Sequence, residues 1–282
     1  MYRYRIVKLG KRKIIQLASA ILYNANFSGF KNAKIYQGPI KNACVPGLNC
    51  YSCPGAIAAC PLGSFQNYIM EKRGVSGLLN RFPFYVLGLL ILFGVIFGRL
   101  VCGFLCPFGL IQELIYKIKT PKIKKNDTTR KLTIIKYFIL IFFAILLPII
   151  LDNPSFCKYI CPAGTIEAGI IHVSLNKALQ SSIGFLFNWK VFIAILIIIM
   201  SLFMYRFFCR FICPLGAIYS FFNNHAILRL KIDEKKCTHC NVCINTCLMD
   251  VKKVSDRECI ECGECVKKCP ENAIYRFTPT QS

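Results

Sequence analysis

Residues 237–269 read CTHCNVCINTCLMDVKKVSDRECIECGECVKKC, and this stretch decides the fold of the C-terminal part of the chain. It holds two runs of four cysteines, each spaced C-x2-C-x2-C-x3-C, and Pro270 follows the second run. Thiolates are soft ligands, four of them complete a [4Fe–4S] cluster, and in paired runs the fourth cysteine ligates the other cluster. We therefore predict one cluster on Cys237, Cys240, Cys243 and Cys269, and a second on Cys259, Cys262, Cys265 and Cys247.

This spacing is typical of bacterial two-cluster ferredoxins, so residues 232–282 are predicted to form a small α+β ferredoxin domain with two [4Fe–4S] clusters. Structural zinc is the alternative, but zinc sites rarely repeat one four-cysteine run. Leu248 stands where a proline usually follows the fourth cysteine of the first run. His239 lies between two ligands and is predicted to be a surface or supporting residue rather than a ligand.

The rest of the chain has the composition of a membrane protein. The 282 residues are 55% hydrophobic and only 17% charged, where a soluble domain has about 25% charged residues. Apolar residues cluster at 14–30, 82–101, 134–151 and 188–207, which predicts an α-helical membrane protein with about four transmembrane helices. The net charge of +23 is explained by cytoplasmic loops rich in Lys and Arg, and no nucleic-acid-binding motif competes with that interpretation.

The distribution of basic residues predicts the topology. The N-terminus and the 117–136 loop are basic and should be cytoplasmic, which leaves segments 31–81 and 152–187 outside. Residues 14–30 are interpreted as a spanning helix, with an interfacial helix or an uncleaved signal-like segment as the alternatives; if they do not cross, only the N-terminus changes side. The prediction is a multi-pass protein of the cell membrane with a cytoplasmic ferredoxin domain. The predicted domains are a basic N-terminus with the first membrane helix (1–31), an extracytoplasmic cysteine-rich segment (32–81), a membrane domain (82–231) and the ferredoxin domain (232–282).

A second cysteine pattern repeats through the membrane part. Residues 99–111 (RLVCGFLCPFGLI) and 206–218 (RFFCRFICPLGAI) share R-x2-C-x3-C-P-x-G-x-I. Residues 157–166 (CKYICPAGTI) form a third copy, and residues 53–65 form a looser fourth copy around Cys53 and Cys60. Proline suits the first turn of a helix, so the second cysteine of each copy should lie at a helix N-terminus, where a thiolate is favoured.

Each copy supplies two thiolates, and a [4Fe–4S] cluster needs four. The predicted topology pairs Cys102 and Cys106 with Cys209 and Cys213 inside, and Cys53 and Cys60 with Cys157 and Cys161 outside. This pairing predicts one or two further [4Fe–4S] clusters in the membrane domain. Cys44 and Cys50 are left over; they form an exterior disulfide, or one of them replaces Cys53. The alternative for all the membrane cysteines is redox-active thiols or disulfides without metal.

The membrane helices, the C-x3-C-P motifs and the terminal two-cluster module together resemble the NapH- and NosR-type membrane polyferredoxins over residues 82–269. Members of that family pass electrons between the quinone pool or cytoplasmic donors and an exterior acceptor. The resemblance marks Cys102, Cys106, Cys209 and Cys213 as the family's two cytoplasmic motifs. The third motif and the segment CVPGLNCYSCPGA (44–56), which is similar to one in clostridial-type membrane ferredoxin-like proteins, favour a more general electron conduit over a nitrate or nitrous-oxide role.

The predicted function is therefore electron transfer, as a component of an oxidoreductase system rather than a stand-alone catalyst. Electrons would come from a cytoplasmic ferredoxin, flavodoxin or partner subunit and pass toward an extracytoplasmic acceptor such as a flavoprotein. The alternatives are a redox-sensing or maturation protein and a quinone-reactive subunit. No haem is expected, because none of the three histidines lies in a predicted span. Glu113, Asp152 and Glu167 are predicted to be solvated rather than to carry protons.

Overall fold

The structure, a computed structural model, describes residues 9–32, 34–71, 84–181 and 183–276, and these are mostly helical. The helices are α1 Leu9–Tyr23, α2 Phe27–Asn32, α3 Pro61–Glu71, α4 Phe84–Phe97, α5 Leu100–Phe104, α6 Pro107–Tyr116, α7 Asp127–Leu151, α8 Ser155–Tyr159, α9 Ile170–Leu175, α10 Lys177–Gln180, α11 Phe185–Phe203, α12 Phe207–Phe211, α13 Pro214–Asn223, α14 Val242–Thr246 and α15 Glu264–Lys268. A 3₁₀ turn covers Pro39–Asn42, and π-helical turns cover Leu140–Leu146 within α7 and Gly164–Gly169 before α9. Strand β1 (Lys231–Ile232) pairs antiparallel with β2 (Ile274–Tyr275).

Two helices in the described part of the chain, α7 and α11, are long and apolar enough to cross a membrane. Helix α4 is equally apolar but has 14 residues; it ends at Phe97, before Gly98 adopts a left-handed φ of +53°. Residues 82 and 83 of the predicted second span lie outside the described residues. The count of four transmembrane helices and the domain boundaries therefore stay predictions.

The prediction of one helix over residues 14–30 was wrong. Helix α1 ends at Tyr23, and the chain turns before α2 begins at Phe27. Asparagines cause the break by bonding to the cysteine-rich segment: Asn24 Nδ2 donates to Asn49 Oδ1 at 3.0 Å, and Asn26 N–H donates to Gly55 O at 3.0 Å. Short polar side chains compete with helical hydrogen bonds in this way.

The C-terminal residues 231–276 pack against the apolar helices through buried ion pairs. Glu258 accepts from Arg99 and from Lys136, each at 2.6 Å, and all three side chains are at most 1% exposed. Arg210 pairs with Asp250 close by. Removing one partner of a buried pair leaves an uncompensated charge, which is strongly destabilising. These contacts therefore fix the position of the C-terminal residues on the helices.

A second buried network joins α1 to the cysteine–proline motifs. Glu113, on α6, accepts from Arg12 of α1 at 2.8 Å and from Arg206 at 2.6 Å, and also from the Tyr205 hydroxyl. Glu113 is 3% exposed, so the prediction that it is solvated was wrong. Burial alone would raise the pKa of Glu113, but Arg206 and Arg12 outweigh it and hold that pKa at about 2.

Candidate iron–sulfur sites

The cysteines of the first terminal run surround a cavity at the surface. This cavity has a volume of about 160 Å³, and Cys240 at its rim is exposed. His239 is also exposed and lies with Asn241 in the left-handed region just before α14, where the backbone reverses to carry the thiols around the cavity. We call the lining cysteines the first terminal quartet: Cys237, Cys240, Cys243 and Cys269.

A second cavity, of about 340 Å³, lies between the C-terminal residues and the start of α1. Its walls include Arg12, Lys13 and Tyr205. The thiol of Cys265 is in electrostatic range of Cys243, so the two terminal cavities are neighbours. The cysteines that line it form the second terminal quartet: Cys247, Cys259, Cys262 and Cys265. The structure brings together both sets that the spacing paired; cluster binding stays a prediction.

The first and second C-x3-C-P motifs come together next to the C-terminal residues. Cys106 and Cys213 each precede the proline that opens a helix, α6 or α13. Both thiols lie in electrostatic range of Cys102 and Cys209. We call these four buried cysteines the inner quartet.

Crossed arginines account for the Arg and Gly that the first and second motifs share. Arg206 Nη1 donates to Cys102 O at 2.5 Å, and Arg99 Nη2 donates to Cys209 O at 3.1 Å, so each arginine supports the other motif. A Cβ on Gly109 would lie 3.1 Å from Arg206 Nη1 and 3.0 Å from Cys102 O. The glycine of the motif therefore leaves room for the arginine of its partner.

The third and fourth motifs form an outer quartet, farther from the C-terminal residues, and it contains Cys50 instead of Cys53. A cavity of about 410 Å³ is lined by Cys50, Cys60, Cys157 and Cys161. Cys157 lies in electrostatic range of the other three thiols. Cys53 is buried outside this cavity, within electrostatic range of Glu167 and Lys41. The cavity therefore has Cys50 in its place, which is the alternative that the sequence left open, and the identity of the ligand stays a prediction. Cys44 and Cys50 are both free thiols, not a disulfide, and Cys44 Sγ lies 3.6 Å from Ser64 Oγ.

The sixth residue after the second cysteine of each motif forms a link that the sequence analysis missed. In the outer quartet the link is reciprocal: Gln66 Oε1 accepts from Cys157 N–H at 3.3 Å, and Glu167 Oε2 accepts from Cys50 N–H at 2.9 Å. This symmetry makes Cys50 the counterpart of Cys157. Glu167 is half-buried, and burial raises its pKa to about 7, so the prediction that it is solvated was wrong.

The inner quartet has one such link. Gln112 Oε1 accepts from Phe208 N–H at 3.0 Å, while its Nε2 donates to Cys209 Sγ at 3.1 Å. The equivalent residue of the other motif is Tyr219, which donates to Pro46 O at 3.0 Å. Because these positions hold Gln, Gln, Glu and Tyr, only their constant spacing from a cysteine–proline pair could have revealed them.

The four cysteine thiols of each membrane-domain quartet are suitable ligands for a polynuclear cluster. Burial raises the pKa of Cys106 and of Cys60 to about 12, so without a metal both thiols would be protonated at neutral pH. A coordinated metal deprotonates a thiol outright. Within the described ranges no three Cys, His, Asp or Glu side chains converge closely enough to hold one metal ion. Thiols spaced around a cavity suit a [4Fe–4S] cluster better than a single zinc ion.

Comparison with known proteins gives matches over the same regions. Sequence models described as "4Fe-4S binding domain" match residues 81–126, 137–177 and 189–233, and another of the same description matches residues 253–275. The first three segments contain the three C-x3-C-P motifs.

Among curated proteins, two uncharacterized proteins of Methanocaldococcus jannaschii are similar. One is 29% identical over 68% of this chain and 65% of its own length, and the other is 30% identical over 68% of this chain and 74% of its own length. The regulatory protein NosR of Stutzerimonas stutzeri is 28% identical over 54% of this chain and 20% of its own length. No solved structure matches the chain.

Proposed function

Because this chain belongs to the NapH- and NosR-type family of membrane-associated ferredoxin-type proteins, whose role is iron–sulfur electron transfer, we propose that it conducts electrons through four [4Fe–4S] clusters. The proposed donor is a cytoplasmic ferredoxin, flavodoxin or partner subunit. The proposed acceptor is extracytoplasmic, and the chain would cross the membrane several times with its C-terminal domain in the cytoplasm. The observation that carries the proposal is that segments flanking each cysteine quartet pack against segments flanking the next.

The contact between the second terminal quartet and the inner quartet is direct. A Cβ on Gly103 would lie 2.2 Å from Ile260 O, so the two backbones touch there. Gly103 follows Cys102 in the sequence, and Ile260 follows Cys259. Only glycine allows this approach, and it supports a short step between the two sites.

The contact between the inner and outer quartets removes the main physical objection to a conduit. A hydrocarbon core of about 30 Å is too thick for one efficient electron transfer. However, a Cβ on Gly47 would lie 3.0 Å from Cys106 Cα, and Cys50 is only three residues further along the chain. Three residues reach at most about 11 Å. The outer quartet is therefore close to the inner one, and the path divides into shorter steps.

The chain's own side chains would tune each site and its access. A bound [4Fe–4S] cluster would supply one-electron chemistry, with a potential set by charge, hydrogen bonds and exposure. At the entry, Lys252 and Lys253 line the cavity of the first terminal quartet, where Cys240 is exposed. Their positive charges would attract an acidic donor. At the exit, Lys158 and Lys190 lie on the wall of the outer cavity and would favour an anionic acceptor.

A regulatory or maturation role is the second candidate. The printed name of the Stutzerimonas relative is "Regulatory protein NosR". Cys44 and Cys53 belong to no quartet, and the partly exposed thiol of Cys44 would be available for exchange with a partner's disulfide. In this role the thiols, rather than the outer quartet, would be the site of reaction.

Iron analysis of anaerobically purified protein tests the proposal. Four [4Fe–4S] clusters contain about sixteen iron atoms per chain, whereas the terminal clusters alone contain about eight. We expect Cys50→Ser to lose about four iron atoms, one cluster's content, while the matched variant Cys53→Ser loses none. About eight iron atoms in the unmodified protein, or loss from Cys53→Ser alone, would refute the assignment.

Electron transfer itself is tested in liposomes of known protein orientation. Reduced ferredoxin is added on the side of the C-terminal domain, with a redox dye trapped on the other side. We expect the dye to be reduced by the unmodified protein and not by Cys50→Ser. If the fully loaded protein transfers no electrons and Cys44→Ser or Cys53→Ser abolishes disulfide exchange with a partner, the regulatory role replaces the conduit.

A further inference from the structure

Tyr219 lies between the inner and outer quartets. Its side chain is on α13 and 1% exposed. The inner-quartet thiols of Cys102, Cys106 and Cys213 are in electrostatic range of its hydroxyl, and so is Cys60 of the outer quartet. Tyr219 is therefore a buried residue in the same core cluster as cysteines of both quartets.

Tyr219 makes a different contact from the residues at the equivalent positions of the other three motifs. At the equivalent positions, Gln66, Gln112 and Glu167 each bond across to the partner motif of the same quartet. The Tyr219 hydroxyl instead donates to Pro46 O, in the segment that leads to Cys50 of the outer quartet. In the other motifs this hydrogen bond joins the two motifs of one quartet, whereas at Tyr219 it joins the inner quartet to the segment that leads to the outer quartet.

The segment that Tyr219 holds is the one that sets the spacing between the sites. Pro46, Gly47 and Leu48 are all buried. The backbone of Leu48 hydrogen-bonds to the Cys106 thiol, and Gly47 packs on the Cys106 backbone. A buried carbonyl that loses its donor is destabilised, so removal of the Tyr219 hydroxyl would release Pro46 and allow this segment to shift.

We propose that Tyr219 is a positioning residue that fixes the distance between the inner and outer clusters by anchoring residues 45–50. This inference rests on the proposed function, since it requires a cluster in each quartet. Electron tunnelling falls steeply with distance and with gaps between packed atoms. The anchor and the ring together therefore set the rate of the step between the two clusters, without ligating either one.

The test compares Tyr219→Phe and Tyr219→Leu with the unmodified protein and with a control, Tyr137→Phe. Tyr137 also bonds through its hydroxyl, to Ser220 Oγ at 2.6 Å, and its ring contacts Phe221 and Lys136. Iron content is measured first, then the magnetic coupling between the reduced inner and outer clusters by pulsed EPR, and then the rate of electron transfer between them.

We expect Tyr219→Phe to keep its iron and broaden the distribution of couplings, because the ring remains but the anchor is lost. Tyr219→Leu should weaken the coupling and slow the transfer several-fold with unchanged midpoint potentials, and Tyr137→Phe should match the unmodified protein. Unchanged coupling and rate in a fully loaded Tyr219→Leu protein would overturn the inference. If that variant does not accumulate, an unchanged distribution in Tyr219→Phe overturns it. The proposed function fails separately, if the unmodified protein itself holds only about eight iron atoms.

Discussion

Replacing Glu258 by Gln should detach the C-terminal domain from the helices. The substitution keeps the shape of the side chain but removes its charge, which leaves Arg99 and Lys136 buried together with no carboxylate. Burial raises the pKa of Glu258, but Arg99 and Lys136 more than offset this and keep it below the ordinary value, so the group is charged at neutral pH. Breaking a buried pair of this kind costs about 3–5 kcal/mol. The undocked population should rise by roughly two to four orders of magnitude.

Limited proteolysis of the connection at residues 224–231 measures this population, because the backbone N–H groups of Ile227 and Leu228 bond to Val95 O and Ile96 O and must be released before cleavage. Glu264→Gln is the matched control: Glu264 pairs with Lys267 at 3.6 Å, and these side chains are 37% and 32% exposed. An exposed pair contributes about 0–1 kcal/mol, so the control should be cleaved at nearly the rate of the unmodified protein. Equal cleavage of the two variants at equal iron content would refute the reasoning, because the buried pairs would then not hold the domain.

Three further predictions concern charge. Lys190→Met should lower the midpoint potential of one membrane cluster by roughly 60 mV, equivalent to about 1.4 kcal/mol for one electron, as measured by redox titration, because Lys190 lines the outer cavity; no shift would place that cluster elsewhere. Glu113 has a depressed pKa of about 2, so its stabilisation is complete above about pH 4.5 and is lost as the pH falls toward 2. The free energy of unfolding of the metal-free protein should therefore fall by up to about 3 kcal/mol over that range. The same dependence of unfolding free energy on pH in a Glu113→Gln protein would contradict this. Replacing Lys252 and Lys253 by Glu should slow electron uptake from an acidic ferredoxin and reduce its salt dependence; an unaltered salt response in stopped-flow assays would exclude this face as the docking site.

Local spacing predicted the cysteine groupings well where the motif itself fixes the geometry. The spacing of the terminal runs was enough to group their two quartets, whereas the inner quartet was grouped by the R-x2-C-x3-C-P-x-G motifs together with the predicted topology. The fourth motif has no such fixed spacing. The choice between Cys50 and Cys53 depended on the hydrogen bond from Cys50 N–H to Glu167, more than a hundred residues away in the chain.

Charge was predicted less well, because burial of a charged side chain depends on partners that are remote in sequence. Glu113 was expected to be solvated, but its partners include Arg12 and Arg206, contributed by distant elements. Hydropathy likewise predicted a helix through residues 14–30, whereas Asn24 and Asn26 bond to the cysteine-rich segment and end it. In each case a long-range polar contact overrides the local pattern.

The crossed arginines also determine when cofactors can be inserted during biogenesis. A nascent chain that ends with α11 already contains Cys102 and Cys106, but it has neither their partner thiols nor Arg206, which binds the Cys102 carbonyl. The ion pairs of Arg99 and Arg210 need residues still later, Glu258 and Asp250. Assembly machinery working on this protein should therefore meet a complete inner site only after synthesis has passed residue 258.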